Sequence, residues 1–92
     1  MSRMTINGLL NEIRSAIVCC DVQDRAFAES NTATITVYFV PPQNNTIATK
    51  IERFDSALKA ICKKAGYRLD YSGYETIDGI ERVVHRIRPN DC

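Results

Sequence analysis

Three arginines of one parity stand near the C-terminal end of this 92-residue chain, in Ile80-Glu81-Arg82-Val83-Val84-His85-Arg86-Ile87-Arg88. Successive side chains on a β-strand point to opposite faces, so Val83, His85 and Ile87 share one side and Arg82, Val84, Arg86 and Arg88 the other. One side suits a core and the other suits anions. Guanidinium forks grip phosphate and carboxylate bidentately, and tyrosines add stacking or apolar contact. The chemistry on offer is recognition, with Arg82, Arg86, Arg88, Arg68, Tyr38 and Tyr74 as the expected partner-binding residues. The same arginines could instead cover an open sheet with their stems and pair with Asp70, Glu75 or Glu81.

Other reactive side chains are scattered. His85, the single histidine, is expected to point inward between two apolar residues, and nothing close in sequence supplies a carboxylate or nucleophile to make it a general base. Cys19 and Cys20 are adjacent, Cys62 lies in a helical pattern, and Cys92 is the last residue. Neighbouring cysteines close on each other only with difficulty, and no CxxC pair or histidine cluster offers zinc ligands, so reduced thiols are expected, Cys20 and Cys62 packed as small apolar residues. Lys59, Lys63 and Lys64 form a basic helix end that reads first as a solvated face. No glycine-rich phosphate loop or nucleophile elbow is present. The expectation is a protein without enzymatic activity, metal or cofactor.

The elements that must hold these residues follow from periodicity. Thr5 is a plausible N-cap, and Ile6, Leu9, Leu10, Ile13, Ile17 and Cys20 recur on one helical face, predicting a first helix over 6–20. From Asp21 to Asn31 the pattern lapses around a lone Phe27, as in a surface loop. Residues 32–40, Thr-Ala-Thr-Ile-Thr-Val-Tyr-Phe-Val, alternate as a strand with Ala33, Ile35, Val37 and Phe39 on one side, stopped by Pro41-Pro42. Ile47, Ile51, Phe54, Leu58, Ile61 and Ala65 make the stripe of a second helix, capped by Asn45 or Thr46 and ended at Gly66. Asp55 and Lys59 stand i,i+4 in the favourable order on its wet side.

The last third predicts a hairpin, Tyr67–Tyr74 returning as Ile80–Arg88. A two-residue turn at Asp78-Gly79 would place Leu69 and Tyr71 on the arginine side, so a three-residue loop of Ile77, Asp78 and Gly79 is expected, with Asp70 opposite Arg86 and Tyr74 opposite Arg82 on the outer face. The order α-β-α-β-β then predicts an α+β fold: a three-stranded antiparallel sheet, strand order 1-3-2, with both helices on one face and the arginine strand in the middle of the other.

Ninety-two residues allow one compact domain with a modest core. Apolar content of 45%, charged content of 25% and a net charge of +1 are those of an ordinary globular chain and argue against a generic polyanion binder. No apolar run approaches a membrane span and the N-terminal residues lack a signal-peptide core, which predicts a cytoplasmic protein.

From Met-Ser-Arg-Met-Thr-Ile-Asn-Gly-Leu-Leu-Asn-Glu-Ile-Arg through the threonine-rich strand to Val-Val-His-Arg-Ile-Arg-Pro, the chain resembles the phage anti-CRISPR proteins, specifically inhibitors of the type I-F surveillance complex. Those proteins share no common motif, so the resemblance assigns no residue. It implies a non-enzymatic inhibitor acting in the host bacterial cytoplasm. Such a protein docks on the backbone and tail subunits of the ribonucleoprotein, with guide RNA as a further open contact, and blocks hybridisation of target DNA. A near-neutral protein with clustered arginines suits a surface of mixed charge, and loops around Asn31 and Asn44 could add rim hydrogen bonds. Two alternatives remain: a small autonomous RNA- or DNA-binding module using the same face, and a structural phage protein that dimerises edge to edge.

Overall fold

The structure is a computed structural model, described here for residues 4–90. Helix α1 spans Ile6–Cys19, strand β1 Ala26–Ser30, β2 Ile35–Phe39, helix α2 Asn45–Ala65, β3 Tyr67–Ile77 and β4 Ile80–Pro89. The four strands form one antiparallel sheet in the order β1-β2-β4-β3. The expected three-stranded sheet is therefore corrected to four strands.

The added strand lies where a loop over 21–31 was expected. α1 ends as expected near residue 20: Asp21 turns left-handed (φ 57), Val22 N–H donates to Ile17 C=O, and Val22 is fully buried. Anchored there, the chain runs out as Ala-Phe-Ala-Glu-Ser, with Ala26 and Ala28 buried under α1 and Phe27 and Glu29 outward. Alanine buries too little surface to register as a strand face, which hid the alternation. β1 returns through a tight turn closed by Asn31 N–H to Thr34 C=O, so Ala33 is exposed and β2 begins only at Ile35.

Both helices keep the apolar stripes that defined them. Leu9, Leu10, Ile13, Ala16 and Ile17 from α1, and Ile51, Phe54, Leu58, Cys62 and Ala65 from α2, join Ile35, Val37, Phe39 and Ile87 of the sheet in one core. Phe54 meets Phe39 edge to face, centroids 6.4 Å apart. The N-cap of α1 is Thr5; that of α2 is Asn44, whose side chain accepts from Ile47 N–H, and not Asn45 or Thr46. Gly66 ends α2 in the left-handed region (φ 84) as a C′ residue should. Both flanks of the chain meet at this junction: Met4 N–H donates to Ala65 C=O, Asn90 N–H to Gly66 C=O, and the Tyr67 hydroxyl to Met4 C=O. Among the described residues no helix is long and apolar enough to cross a membrane.

The hairpin resolves its parity conflict differently from the expected three-residue loop. Asp78 and Gly79 both have positive φ (53 and 78) in a two-residue turn that pairs Ile77 with Ile80. The extra residue sits eight positions before Asp78, at Asp70, where the register slips between Leu69 and Tyr71. Leu69 thus opposes Ile87 on the core side, and Tyr71, expected inward, opposes Arg86 on the outside. Asp70 opposes no residue, Glu75 opposes Arg82, and Tyr74 opposes Val83 on the helix side, which removes the expected Asp70–Arg86 and Tyr74–Arg82 pairings.

Because Asp78 holds a left-handed backbone, Asp78→Val puts a β-branched side chain where it clashes with its own carbonyl and should lower stability by about 1–2 kcal/mol. Thermal unfolding measures this; an unchanged midpoint would show that the hairpin turns elsewhere.

Candidate functional site

The sheet has two sides with different chemistry. On the side away from the helices, the registers align cross-strand rows. Phe27, Tyr38, Val84 and Gly73 form one row, and Glu29, Thr36, Arg86 and Tyr71 the next. Arg82 lies beside the first row and Arg88 with Arg68 beyond the second. Of the six residues expected to bind a partner, Arg82, Arg86, Arg88, Arg68 and Tyr38 share this outer face. Tyr74 does not: the bulge turns it to the helix side, where its side chain is exposed.

The outer arginines are held in place by their neighbours. Arg86 Nη2 is 2.9 Å from Glu75 Oε2, and its guanidinium carbon lies 5.0 Å from the Tyr71 ring centroid. Arg88 Nε is 2.9 Å from Asp70 Oδ2, while Asp70 Oδ1 accepts from Arg68 Nη2 at 3.4 Å. Arg82 reaches across to stand 5.4 Å from the centroid of Phe27, which stacks on Tyr38 at 4.6 Å. Ion pairs this exposed stabilise the fold by at most about 1 kcal/mol each, so their main effect is to fix rotamers. The Tyr38 hydroxyl donates to Glu29 Oε1 at 3.1 Å; burial and then that carboxylate raise the phenol's pKa above its ordinary value.

Gly73 makes the arrangement fit. A Cβ placed there would collide with the Tyr71 hydroxyl oxygen and sit 2.7 Å from its Cζ, so the hydroxyl end of the Tyr71 ring lies over the glycine. Sequence reasoning offered Glu75 as a partner for these arginines, and it is one, but missed Phe27, Tyr71 and Gly73 as members of the face; an aromatic two residues before a glycine on a strand is the signal that could have found the last two. The rim loops contribute less than expected, since Asn31 Oδ1 accepts from Thr32 N–H and the Asn44 side chain caps α2.

On the helix side, His85 is inward and 8% exposed, as its parity required. Its partners come from elsewhere in the chain. Nδ1 is 2.7 Å from Ser72 Oγ on β3, and Nε2 lies 3.2 Å from Asp55 Oδ1 on α2, near enough to feel its charge although off the line of a hydrogen bond. Facing a carboxylate, Nε2 is the nitrogen that carries the proton, which leaves Nδ1 to accept the Ser72 hydroxyl. Asp55 Oδ2 is in turn 2.9 Å from Lys59 Nζ, the expected i,i+4 pair. Thirty residues separate Asp55 from His85, so no local pattern announced the contact.

Among the thiols, Cys62 is buried, and burial pushes its pKa up to about 11, consistent with an inert packing residue; Cys20 packs partly against the core and Cys19 is exposed. Cys92 lies outside the described residues. Among the described residues no group of histidine, cysteine and carboxylate side chains could hold a metal ion.

Two outcomes follow from this geometry. Gly73→Ala gains strand propensity but displaces the Tyr71 ring, effects of about 0.5–1 kcal/mol in opposite directions, so stability should hardly move while the ring-current shift on the Arg86 side chain disappears from the NMR spectrum. Retention of that shift would contradict the packing. His85 has its pKa lowered from 6.5 by burial, which outweighs the opposing pull of Asp55. A folded-state pKa below the unfolded value means the unfolded chain binds the extra proton, so stability is full above about 6.5 and falls as the pH drops through the window below it. Denaturation across that window should show a steeper loss for the native sequence than for His85→Gln; parallel curves would mean His85 does not titrate with folding. Comparison with family models, with curated proteins and with solved structures finds no match to this chain, so what can be said of its two chemical faces rests on their geometry.

Proposed function

We propose that the outer sheet face is a protein-docking surface and that the chain acts as an inhibitor by binding, with the type I-F CRISPR surveillance complex as its partner and its backbone and tail subunits as the surface engaged. The observation that carries the docking half is the pre-set guanidinium of Arg86, gripped by Glu75 on one side and laid over Tyr71 on the other. An arginine whose rotamer is already fixed loses little entropy on meeting a partner carboxylate, and arginine and tyrosine supply a large share of interface hot spots. The choice of partner rests on the resemblance of the sequence to anti-CRISPR inhibitors. Docking of this kind needs no bond-making step and blocks target DNA by occupying its path.

The charge pattern favours a protein surface over a nucleic-acid backbone. Glu29, Asp70 and Glu75 stand among the four arginines of the face, and a row of phosphates would meet those carboxylates as well as the guanidiniums. Guide RNA is then a contact at the margin, through the half-exposed Arg88 side chain.

Replacing Arg86 with alanine should weaken binding to the purified complex by about 2 kcal/mol, roughly thirty-fold, and replacing Arg82, Arg86 and Arg88 together should abolish it. Calorimetric titration with circular dichroism as a control for folding reads this out. Undiminished affinity of the folded triple variant would remove the face from the interface, whereas tight, steeply salt-dependent binding to free RNA or DNA would replace the inhibitor with a nucleic-acid module.

A further inference from the structure

We propose that Ser72 is an activated nucleophile that takes an acyl group from a small neutral ester, with His85 as its base and Asp55 as the group that steadies the charged imidazole. The reading goes beyond docking and concerns the opposite side of the sheet, so either can fail alone.

Its first support is the order of the three groups. An exposed hydroxyl, Ser72 Oγ, stands 2.7 Å from Nδ1 of a buried imidazole, and the far nitrogen of that ring faces a carboxylate oxygen at 3.2 Å. With the proton on Nε2, the Nδ1 lone pair points at the serine, the arrangement a general base needs. When Nδ1 takes a second proton, Asp55 meets the new positive charge. Structural packing of a histidine requires a partner for each nitrogen, but not a hydroxyl at the solvent boundary.

The second support is the groove beside the relay. Phe39, Ile51, Val83 and Tyr74 give it apolar walls, His85 and Asp55 lie at its inner end, and Glu52 stands on its rim; the space is about 580 Å³. Ser72 and Tyr74 are two residues apart on β3 and so point to the same side, which sets the nucleophile at the margin of that groove. One carboxylate on the rim, Glu52, and one at the inner end, Asp55, disfavour an anionic acyl chain, and the apolar walls favour a short hydrocarbon one.

The step balances without any further reagent. Ser72 Oγ forms a bond to the ester carbonyl carbon as its proton passes to His85 Nδ1, and the carbon–oxygen bond to the leaving group breaks. An aryl leaving group departs as its oxide, and Nδ1 returns its proton to solvent. Water then gives a proton to Nδ1, attacks the acyl-serine, and releases the carboxylic acid while Ser72 Oγ recovers a proton from Nδ1. Protonation of His85 beforehand removes the base. The lowering of its pKa by burial keeps it available at neutral pH.

The test uses p-nitrophenyl acetate and p-nitrophenyl butyrate with the full chain, following nitrophenolate release and mapping the acylated residue by mass spectrometry. Acylation should fall on Ser72, and the native protein should release nitrophenolate at least about tenfold faster than Ser72→Ala, a threshold set below the roughly hundredfold minimum of a well-positioned base. The rate should fall on acidification with the titration of His85, and His85→Gln should lose both the rate and its pH dependence. Ser72 is exposed, so its alanine variant keeps the fold and serves as the control. Label confined to lysines or the amino terminus, or a difference under tenfold between native protein and Ser72→Ala, would overturn the proposal.

Discussion

One supernumerary residue, Asp70, decides which way β3 faces. The hairpin closes through a two-residue turn, and with strict pairing from that turn Leu69 would stand on the arginine side of the sheet. The bulge at Asp70 lets the apolar residue return to the core and leaves every residue between it and the turn in the opposite phase. Tyr71 and Gly73 therefore join the arginine side, and Ser72 and Tyr74 come to lie on the helix side beside His85. Both chemical faces inherit their membership from this single slip. The bulged carboxylate is also used, bridging Arg68 and Arg88.

Much of the framework was legible because it repeats. The stripe from Ile47 to Ala65 is long and regular enough to need no tertiary context, and the alternation of Ile35, Val37 and Phe39 or of Val83, His85 and Ile87 names the buried side of its strand directly. What stayed hidden did so for identifiable reasons. β1 offers two alanines as its buried face, too little apolar surface to mark a strand, and its one large residue, Phe27, looks outward. The hairpin pattern demanded an odd residue between Leu69 and Val83 but could not say whether turn or strand absorbed it. Either place satisfies Leu69, and only the bulge within the strand puts Tyr71 outside and Tyr74 on the helix side.

The two sides also differ in how their polar groups are satisfied. Outside, charges pair in view of solvent, so screening keeps each contact weak and the benefit is geometric order. Inside, His85 is largely buried, and the Ser72 hydroxyl and the Asp55 carboxylate are brought to it from β3 and α2. Nothing in the sequence around Ser72 or Asp55 links either residue to His85. The three acquire chemical meaning only when α2 crosses the ribbon and the bulge has set the phase of β3.

The junction between α2 and β3 gathers distant parts of the chain, since Met4 and Asn90 are each hydrogen-bonded to one of two consecutive residues, Ala65 and Gly66. Two points 86 positions apart in sequence are thus near neighbours in space. A short linker could join them without bending the fold, and the backbone could then be cut at the prolines before α2, giving a rearranged chain order with both faces of the sheet preserved.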